Sequence, residues 1–294
     1  MRFVSTTRIT LSTLSSLTGL LFSHLLTAQN MSPNQVWLMP LMNNQPGEPR
    51  LISQATRYNN QPHFSAGSRV IYFTAEQEDG QTDIWQYDIS SGNRSAVIQS
   101  PESEFSPTPI PGRNAVSVIR IEADQRQRLW SIDLNSSETT LLMPNVEPVG
   151  YHAWISEDIA ALFILGDTMT LHKSKTGNSP SVQLTENIGR TLRRHPENGT
   201  ALYVDKTMEP WWIAAIDLNS KEKARIIPLL PTVEDFEVDF SSRFWAGTGS
   251  EIYRSDPHNT QWELIFDIKS YGLDNVSRLA VSPNGAWLAI VVSP

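Results

Sequence analysis

Hydrophobic residues recur along this chain in short runs that are separated by polar turns, most clearly over residues 61–99. A short predicted strand ends at Phe64, and a second over 69–75 is rich in β-branched and aromatic side chains. Two more predicted strands follow at 83–89 and 95–99, with Gly, Asn, Asp and Ser in the turns between them. This pattern predicts four antiparallel strands joined by hairpins.

Weaker copies of this unit fill the rest of the sequence. The third-strand pattern starts at Ile84 and recurs at Leu129, Leu171, Ile213 and Ile252, in steps of 45, 42, 42 and 39 residues. A further copy begins at Val36. A period of about 43 residues with four short strands is typical of a β-propeller blade, which buries its faces by packing against neighbouring blades.

The two ends of the chain predict the number of blades. After the fifth copy, residues 276–292 supply only a first and a second strand, whereas the N-terminal part begins with a third strand at 35–39 and a fourth at 49–53. We therefore expect 276–293 to pair with 35–54 and to close the ring. The predicted fold is all-β, a six-bladed propeller of four-stranded antiparallel blades in a single domain over 29–294.

The composition narrows the classes of function. The net charge of −8 argues against binding to a nucleic-acid backbone, which usually needs a basic face. The sequence contains no cysteine, which excludes disulfides, thiolate catalysis, iron–sulfur clusters and a lipidated N-terminal cysteine.

The first 28 residues have the pattern of a secretory signal peptide. Arg2 and Arg8 precede an uncharged apolar stretch over 9–26, and Ala28 supplies a small residue before a plausible cleavage point. The alternative is an uncleaved anchor helix, for which the stretch is marginal in length. We expect cleavage after residue 28, a periplasmic or secreted protein without a membrane span, and a monomer.

The repeat motifs resemble those of a known family. The motifs are Phe64-Ser65-Ala66-Gly67, Asp83-Ile84-Trp85 with Asp88 four residues after Ile84, and Val281-Ser282-Pro283-Asn284-Gly285. They are similar to the WD40-like, PD40-type repeats of the TolB-like propeller family, over nearly all of residues 29–294. The resemblance implies a six-bladed, secreted or periplasmic propeller but no activity, because the motif residues are structural. TolB has an additional N-terminal domain before its propeller, and we expect no room for such a domain in this sequence. This expectation argues against a role in the Tol system.

The sequence contains no recognisable catalytic set. It has no Gly-x-Ser-x-Gly elbow, no His-Glu-x-x-His motif and no phosphate-binding loop. His63, His152 and His195 all fall near predicted first strands, which line the channel of a propeller, so they could converge as metal ligands. They do not share one register, however, and we predict no metal, no cofactor and no catalytic residue.

The segments that lead into the first strands, here called the entry segments, combine aromatic, acidic and basic residues. In a propeller these segments gather around one mouth of the channel, where converging polar groups can form a binding site. The candidate binding residues are Arg57, Tyr58, Asn60, Glu102, Glu104, Tyr151, Arg190, Arg193, Glu234, Asp235, Tyr271 and Asp274.

The predicted function is a non-enzymatic binding module for a protein, peptide or glycan. The alternative is a carbohydrate-active hydrolase or lyase that uses channel histidines and carboxylates, and a purely structural envelope component is a third possibility. Three or more His, Asp or Glu side chains within about 4 Å of one point in the channel would favour the enzyme.

Overall fold

The apolar runs and polar turns fold into six antiparallel sheets, five of them built from four consecutive strands and the sixth from strands of both chain ends. The structure is a computed structural model that describes residues 31–42 and 45–294. First strands of neighbouring blades contact one another and form the wall of the channel. The six-bladed, all-β architecture predicted from the period is confirmed.

The first three blades follow one another along the chain. Blade one consists of Asn59–Phe64, Val70–Glu76, Thr82–Asp88 and Arg94–Ile98. Blade two consists of Ser103–Pro109, Ala115–Ile121, Gln127–Asp133 and Thr139–Leu141. Blade three consists of Val149–Trp154, Ile159–Ile164, Thr170–Lys175 and Val182–Glu186.

The last three blades include the one that joins both ends of the chain. Blade four consists of Ile188–Arg194, Ala201–Asp205, Trp212–Ile216 and Lys223–Pro228. Blade five consists of Glu237–Val238, Phe244–Thr248, Glu251–Ser255 and Trp262–Asp267, followed by the 3₁₀ turn Lys269–Tyr271. Blade six consists of Val276–Val281, Trp287–Val292, Gln35–Met42 and Arg50–Leu51, with Gln45–Pro46 also paired to Gln35–Met42.

Blade six closes the ring as predicted. Gln35–Met42 pairs antiparallel with Trp287–Val292 in a continuous register from Gln35 opposite Val292 to Pro40 opposite Trp287. Val36, Leu38 and Val291 are completely buried and belong to the core cluster that joins blade six to blade one. Both strong β-formers and hydrophobic contact therefore hold this seam together.

The tryptophans serve mainly as packing between and within blades. Trp154 and Trp245 are buried. Six others are partly buried against the core clusters: Trp37, Trp85, Trp130, Trp211, Trp262 and Trp287.

The first strands are irregular where they pass the channel. Five of the six carry a shift in pairing register, typical of a β-bulge, which turns side chains that would otherwise alternate. Gln61 and Ser106 have left-handed backbones with φ of 58° and 55°. The Gln61 Oε1 accepts hydrogen bonds from the Ser106 N–H at 2.9 Å and the Thr74 hydroxyl at 2.8 Å, which ties blade one to blade two. Such strained positions persist only when their surroundings hold them, and they concentrate at functional sites.

Within residues 31–42 and 45–294, no helix is long and apolar enough to cross a membrane. The predicted signal segment, residues 1–28, lies outside the described residues.

Candidate functional site

A cavity of about 400 Å³ occupies the channel, and all six blades contribute to its wall. Most of its lining comes from the first strands, because they lie at the centre of the ring. The polar and charged lining residues relevant to binding are Gln61, His63, Thr108, Tyr151, His152, Arg190, Arg193, Asp235, Glu237 and Arg278.

The cavity extends toward the turns that join first and second strands, here called the turn side. Pro111, Pro196, Phe240 and Pro283 line it from that side. Phe240 is 65% exposed. It lies against Gly285, where φ is 69° and an added Cβ would come within 2.9 Å of the phenyl ring. The turn-side rim therefore presents one exposed aromatic ring among prolines.

A network around Arg278 spans the channel. The Arg278 Nη1 pairs with Asp235 Oδ2 at 3.2 Å, and Nη2 donates to the Tyr151 hydroxyl at 3.1 Å. The guanidinium also lies 5.1 Å from the centre of the Tyr151 ring. The Thr191 hydroxyl donates to the same Asp235 carboxylate at 3.0 Å. One buried ion pair thus connects blades three, four, five and six.

The second cavity carboxylate is also paired. The Arg193 Nε donates to Glu237 Oε1 at 2.9 Å, and the same oxygen accepts the Val238 N–H at 2.9 Å. Burial raises the pKa of Glu237, and the charge of Arg193 opposes that rise. Neither Asp235 nor Glu237 is therefore free to receive a ligand group without giving up an arginine.

His152 and Ser117 are joined by a hydrogen bond of 2.6 Å between Nε2 and Oγ. The Ser117 hydroxyl has only one proton, which it donates to the Thr108 carbonyl at 3.0 Å, while Trp154 Nε1 donates to the same Oγ at 2.8 Å. With the Ser117 proton directed to Thr108, His152 Nε2 carries the ring proton and donates it to Ser117. Since Ser117 is completely buried and fully bonded, this pair is not an activated nucleophile.

This tautomer leaves an acceptor at His152 Nδ1, which is buried without a partner among the described residues. Burial lowers the pKa of His152 to about 3. Burial also lowers the pKa of His63 to about 3, and the charge of Arg193 adds to the effect. Both imidazoles are therefore neutral near pH 7.

The three first-strand histidines do not converge as a set. His63 and His152 line the cavity, whereas the ring of His195 accepts the Glu197 N–H at 3.3 Å in the turn that follows its strand. In the part of the chain that the structure describes, no group of three or more His, Asp or Glu side chains could hold a metal ion.

Four of the twelve predicted binding residues line the cavity: Tyr151, Arg190, Arg193 and Asp235. Three others lie next to it without lining it. The Glu234 carboxylate accepts the Arg190 N–H at 2.7 Å and pairs with Lys206 at 3.0 Å. Burial raises the pKa of Tyr58 to about 12 against the opposing charges of Arg278 and Arg190. The Asn60 side chain accepts the neighbouring Gln61 N–H.

The remaining predicted residues make local contacts outside the cavity. Arg57 donates to the Gln77 carbonyl, Glu102 accepts a hydrogen bond from Ser100, Tyr271 donates to the Pro46 carbonyl, and Asp274 accepts the Asn275 N–H. Their roles in binding remain predictions.

Glu104, also predicted as a binding residue, is completely buried between blades one and two. Its Oε1 lies 2.9 Å from the Arg120 Nε and 2.6 Å from the Ser100 hydroxyl. Burial raises the pKa of Glu104 to about 7, although Ser100 and Arg120 both oppose that rise.

This raised pKa gives a prediction for stability. The folded protein holds a proton on Glu104 that the unfolded chain releases near pH 4.5, so the free energy of unfolding falls as the pH rises toward 7. We expect Glu104→Gln to remove this slope, worth at most about 3 kcal/mol between pH 4.5 and 8. Urea unfolding of both proteins across that range measures it. Parallel pH profiles for the wild type and the variant would show that Glu104 does not titrate in this way.

The predicted binding residues omit several groups that line the cavity, among them Arg278 and Phe240. Arg278 is the only charged residue in the apolar first strand Val276–Val281, which is a usable signal. Phe240 follows directly on Asp239 in a turn, and nothing in the sequence distinguishes it from a core aromatic.

Comparison with known proteins adds evidence on the fold. Neither a family model nor a curated protein sequence matches the chain. A solved structure assigned as a TolB from Agrobacterium tumefaciens aligns with a TM-score of 0.69 at 12% identity, covering 89% of this chain and 98% of that one. A gluconolactonase from Xanthomonas campestris aligns with a TM-score of 0.59 at 10% identity, covering 81% and 86%. An oligogalacturonate lyase in complex with manganese aligns with a TM-score of 0.54 at 11% identity, covering 84% and 80%. At these identities the similarity establishes a propeller fold like that of TolB.

Proposed function

We propose that this TolB-like propeller is a non-enzymatic binding module that takes a peptide or glycan segment of a partner into its channel cavity. One observation carries the proposal. Among the described residues, the cavity contains two side-chain atoms without protein partners, Arg190 Nε and His152 Nδ1, although its carboxylates Asp235 and Glu237 are paired with arginines.

The size and chemistry of the cavity support binding. Its volume of about 400 Å³ lies in the range of small-ligand sites, which combine apolar walls with a few placed polar groups. A buried acceptor without a partner, such as His152 Nδ1, costs about 1–3 kcal/mol, which a donor from a ligand or water offsets. The left-handed residues Gln61 and Ser106 in the wall are a further sign that the wall geometry is specified.

We also propose that residues 1–28 are removed and that 29–294 acts as a single domain and a monomer in the periplasm or outside the cell. The positively charged start, the apolar stretch and the small residue before position 29 support removal of residues 1–28. The acidic net charge argues against a nucleic-acid partner.

A carbohydrate-active hydrolase or lyase is the second candidate, because propellers with such activities share the fold. The cavity chemistry favours it less. A general acid or base works best with a pKa near the operating pH, whereas the pKa values of His63 and His152 are lowered to about 3. Both cavity carboxylates are held by arginines.

The test is affinity capture of the protein from its native envelope, with mass spectrometry and a parallel assay on a polysaccharide panel. We expect to capture a partner, and a peptide or glycan taken from that partner should displace it from the protein. We expect no turnover of any polysaccharide in the panel. Turnover of a polysaccharide without any captured partner would favour the enzyme and contradict the binding module.

The exposed Phe240 provides a sharper prediction. Because its ring lies at the rim of the cavity and contributes little to the core, Phe240→Ala should weaken binding of the captured ligand about tenfold and leave stability within about 0.5 kcal/mol. Titration calorimetry and thermal unfolding measure the two effects. The matched control is Leu264→Ala, a 52% exposed apolar residue on the outer strand of blade five, which should change neither. Equal affinities for the two variants would exclude the turn side as the binding side.

A further inference from the structure

The charged lining of the cavity is unevenly paired. Among the described residues, Arg278 and Arg193 each pair with a cavity carboxylate, and Arg194 donates to the carbonyls of Ile155 and Pro196. The third acidic lining residue, Asp239, is occupied by the N–H groups of its own turn and by Trp245 Nε1. The cavity therefore has no carboxylate left for a further cation.

Arg190 is a cavity arginine that lacks a carboxylate partner among the described residues. No carboxylate of the described residues lies within ion-pairing distance of its guanidinium, and its Nε is buried without a hydrogen-bond partner. Its backbone N–H is fixed by Glu234 at 2.7 Å, which holds this part of the first strand of blade four in place. The side chain lines the cavity and is only partly buried. A partly desolvated guanidinium with a free donor edge is costly unless an acceptor meets it.

The surroundings of Arg190 favour a ligand anion over a neutral acceptor. Arg190 and Arg278 both line the cavity, and the positive charges of both act on Tyr58. Arg278 is already paired with Asp235, whereas the carboxylate that acts on Arg190, Glu234, lies beyond ion-pairing distance of that guanidinium and pairs with Lys206. His63 and His152 are neutral and add no charge of either sign. A carboxylate matches the planar donor fork of arginine in two parallel hydrogen bonds, and low local polarity strengthens that pair.

We infer that Arg190 is an anion subsite that binds a carboxylate of the ligand in the channel. The inference rests on the proposed binding function and deepens it by naming the ligand chemistry. With His152 Nδ1 as an acceptor in the same cavity, the ligand carries a carboxylate and a hydrogen-bond donor. An acidic peptide and an acidic sugar both meet this description, and the carboxylate is the chemistry they share.

Acetate is the first probe, with acetamide as its neutral counterpart. In spectra of the arginine Nε–Hε groups of the purified protein, acetate should shift the Arg190 signal and acetamide should not. The signal is assigned by its loss in Arg190→Met, and Arg126→Met, an exposed arginine of blade two paired with Asp124, is the matched control. No shift of the Arg190 signal at saturating acetate, or equal shifts with acetamide, would overturn the subsite.

Larger probes then distinguish the two sources of the carboxylate. Acetyl-dialanine is compared with its amide, and galacturonate with galactose. The preferred acid should bind at least about tenfold more tightly than its neutral form, and Arg190→Met should reduce this preference below about threefold. Arg190→Lys keeps the charge but loses the fork, so its preference should be intermediate, and it replaces Arg190→Met if that variant does not fold. A preference unchanged in both variants would overturn the subsite. The Phe240-dependent binding of a captured partner would still stand in that case, which separates this failure from failure of the proposed function.

Discussion

We expect Val291→Asp to abolish the cooperative folding of the ring. Val291 is completely buried, pairs with Val36 across the closing seam and packs in the cluster that also contains Leu38 and Phe64. The cation opposite Val291 on the neighbouring strand is Arg278, which is already paired with Asp235. A new carboxylate at position 291 therefore lacks a cation of its own, and such a buried charge costs several kcal/mol. With a total stability of about 5–15 kcal/mol for a typical protein, a loss of about 5 kcal/mol or more leaves the ring open or unfolded. Circular dichroism and thermal unfolding measure it.

Val182→Asp is the matched control, because it makes the same chemical change on an outer strand. Val182 lies in Val182–Glu186 of blade three and is 46% exposed. Its substitution should change the free energy of unfolding by no more than about 0.5 kcal/mol. If both variants unfold at the same temperature as the wild type, the seam does not hold the ring closed.

Arg278→Met is expected to cost about 3–5 kcal/mol, because it leaves the Asp235 carboxylate buried without its cation. Asp235 is 5% exposed, and its remaining donors, the Thr191 hydroxyl at 3.0 Å and the Leu279 N–H at 3.4 Å, carry no charge. The double variant Arg278→Met with Asp235→Asn should recover a large part of that loss, since no charge then remains in the network. Urea unfolding of the two single variants and the double variant gives the coupling free energy. Additive effects would show that the pair does not act as a unit.

The period of apolar runs predicted most of the fold. Blade-one strands predicted at 69–75, 83–89 and 95–99 are observed at Val70–Glu76, Thr82–Asp88 and Arg94–Ile98. Closure by 35–54 and 276–293 followed from complementary sets of strands at the two ends. These features depend on hydrophobic alternation and turn residues, which are local properties of a sequence.

The candidate site was only partly predictable, for two physical reasons. Register shifts in the first strands redirect side chains, and the proline that directly follows each bulged residue, Pro62 after Gln61 and Pro107 after Ser106, was not used in the prediction. Ion pairing across the ring is also invisible along the chain, since Tyr151 and Arg278 are separated by 127 residues. Glu104 illustrates the second reason, because an acidic residue of an entry segment turned out to be buried against Arg120.

The seam of blade six also determines the order in which the protein can complete its folding. Its paired residues, 35–40 and 287–292, are separated by roughly 250 positions, so closing that loop is among the slowest contacts to form. During synthesis from the N-terminus, Gln35–Met42 is made long before its partner strand Trp287–Val292. Its edge on that side stays unpaired until the partner strand is made. An unpaired apolar strand edge is an aggregation hazard for that whole interval. We therefore expect that covering residues 35–42 until the ring closes reduces aggregation of the nascent chain.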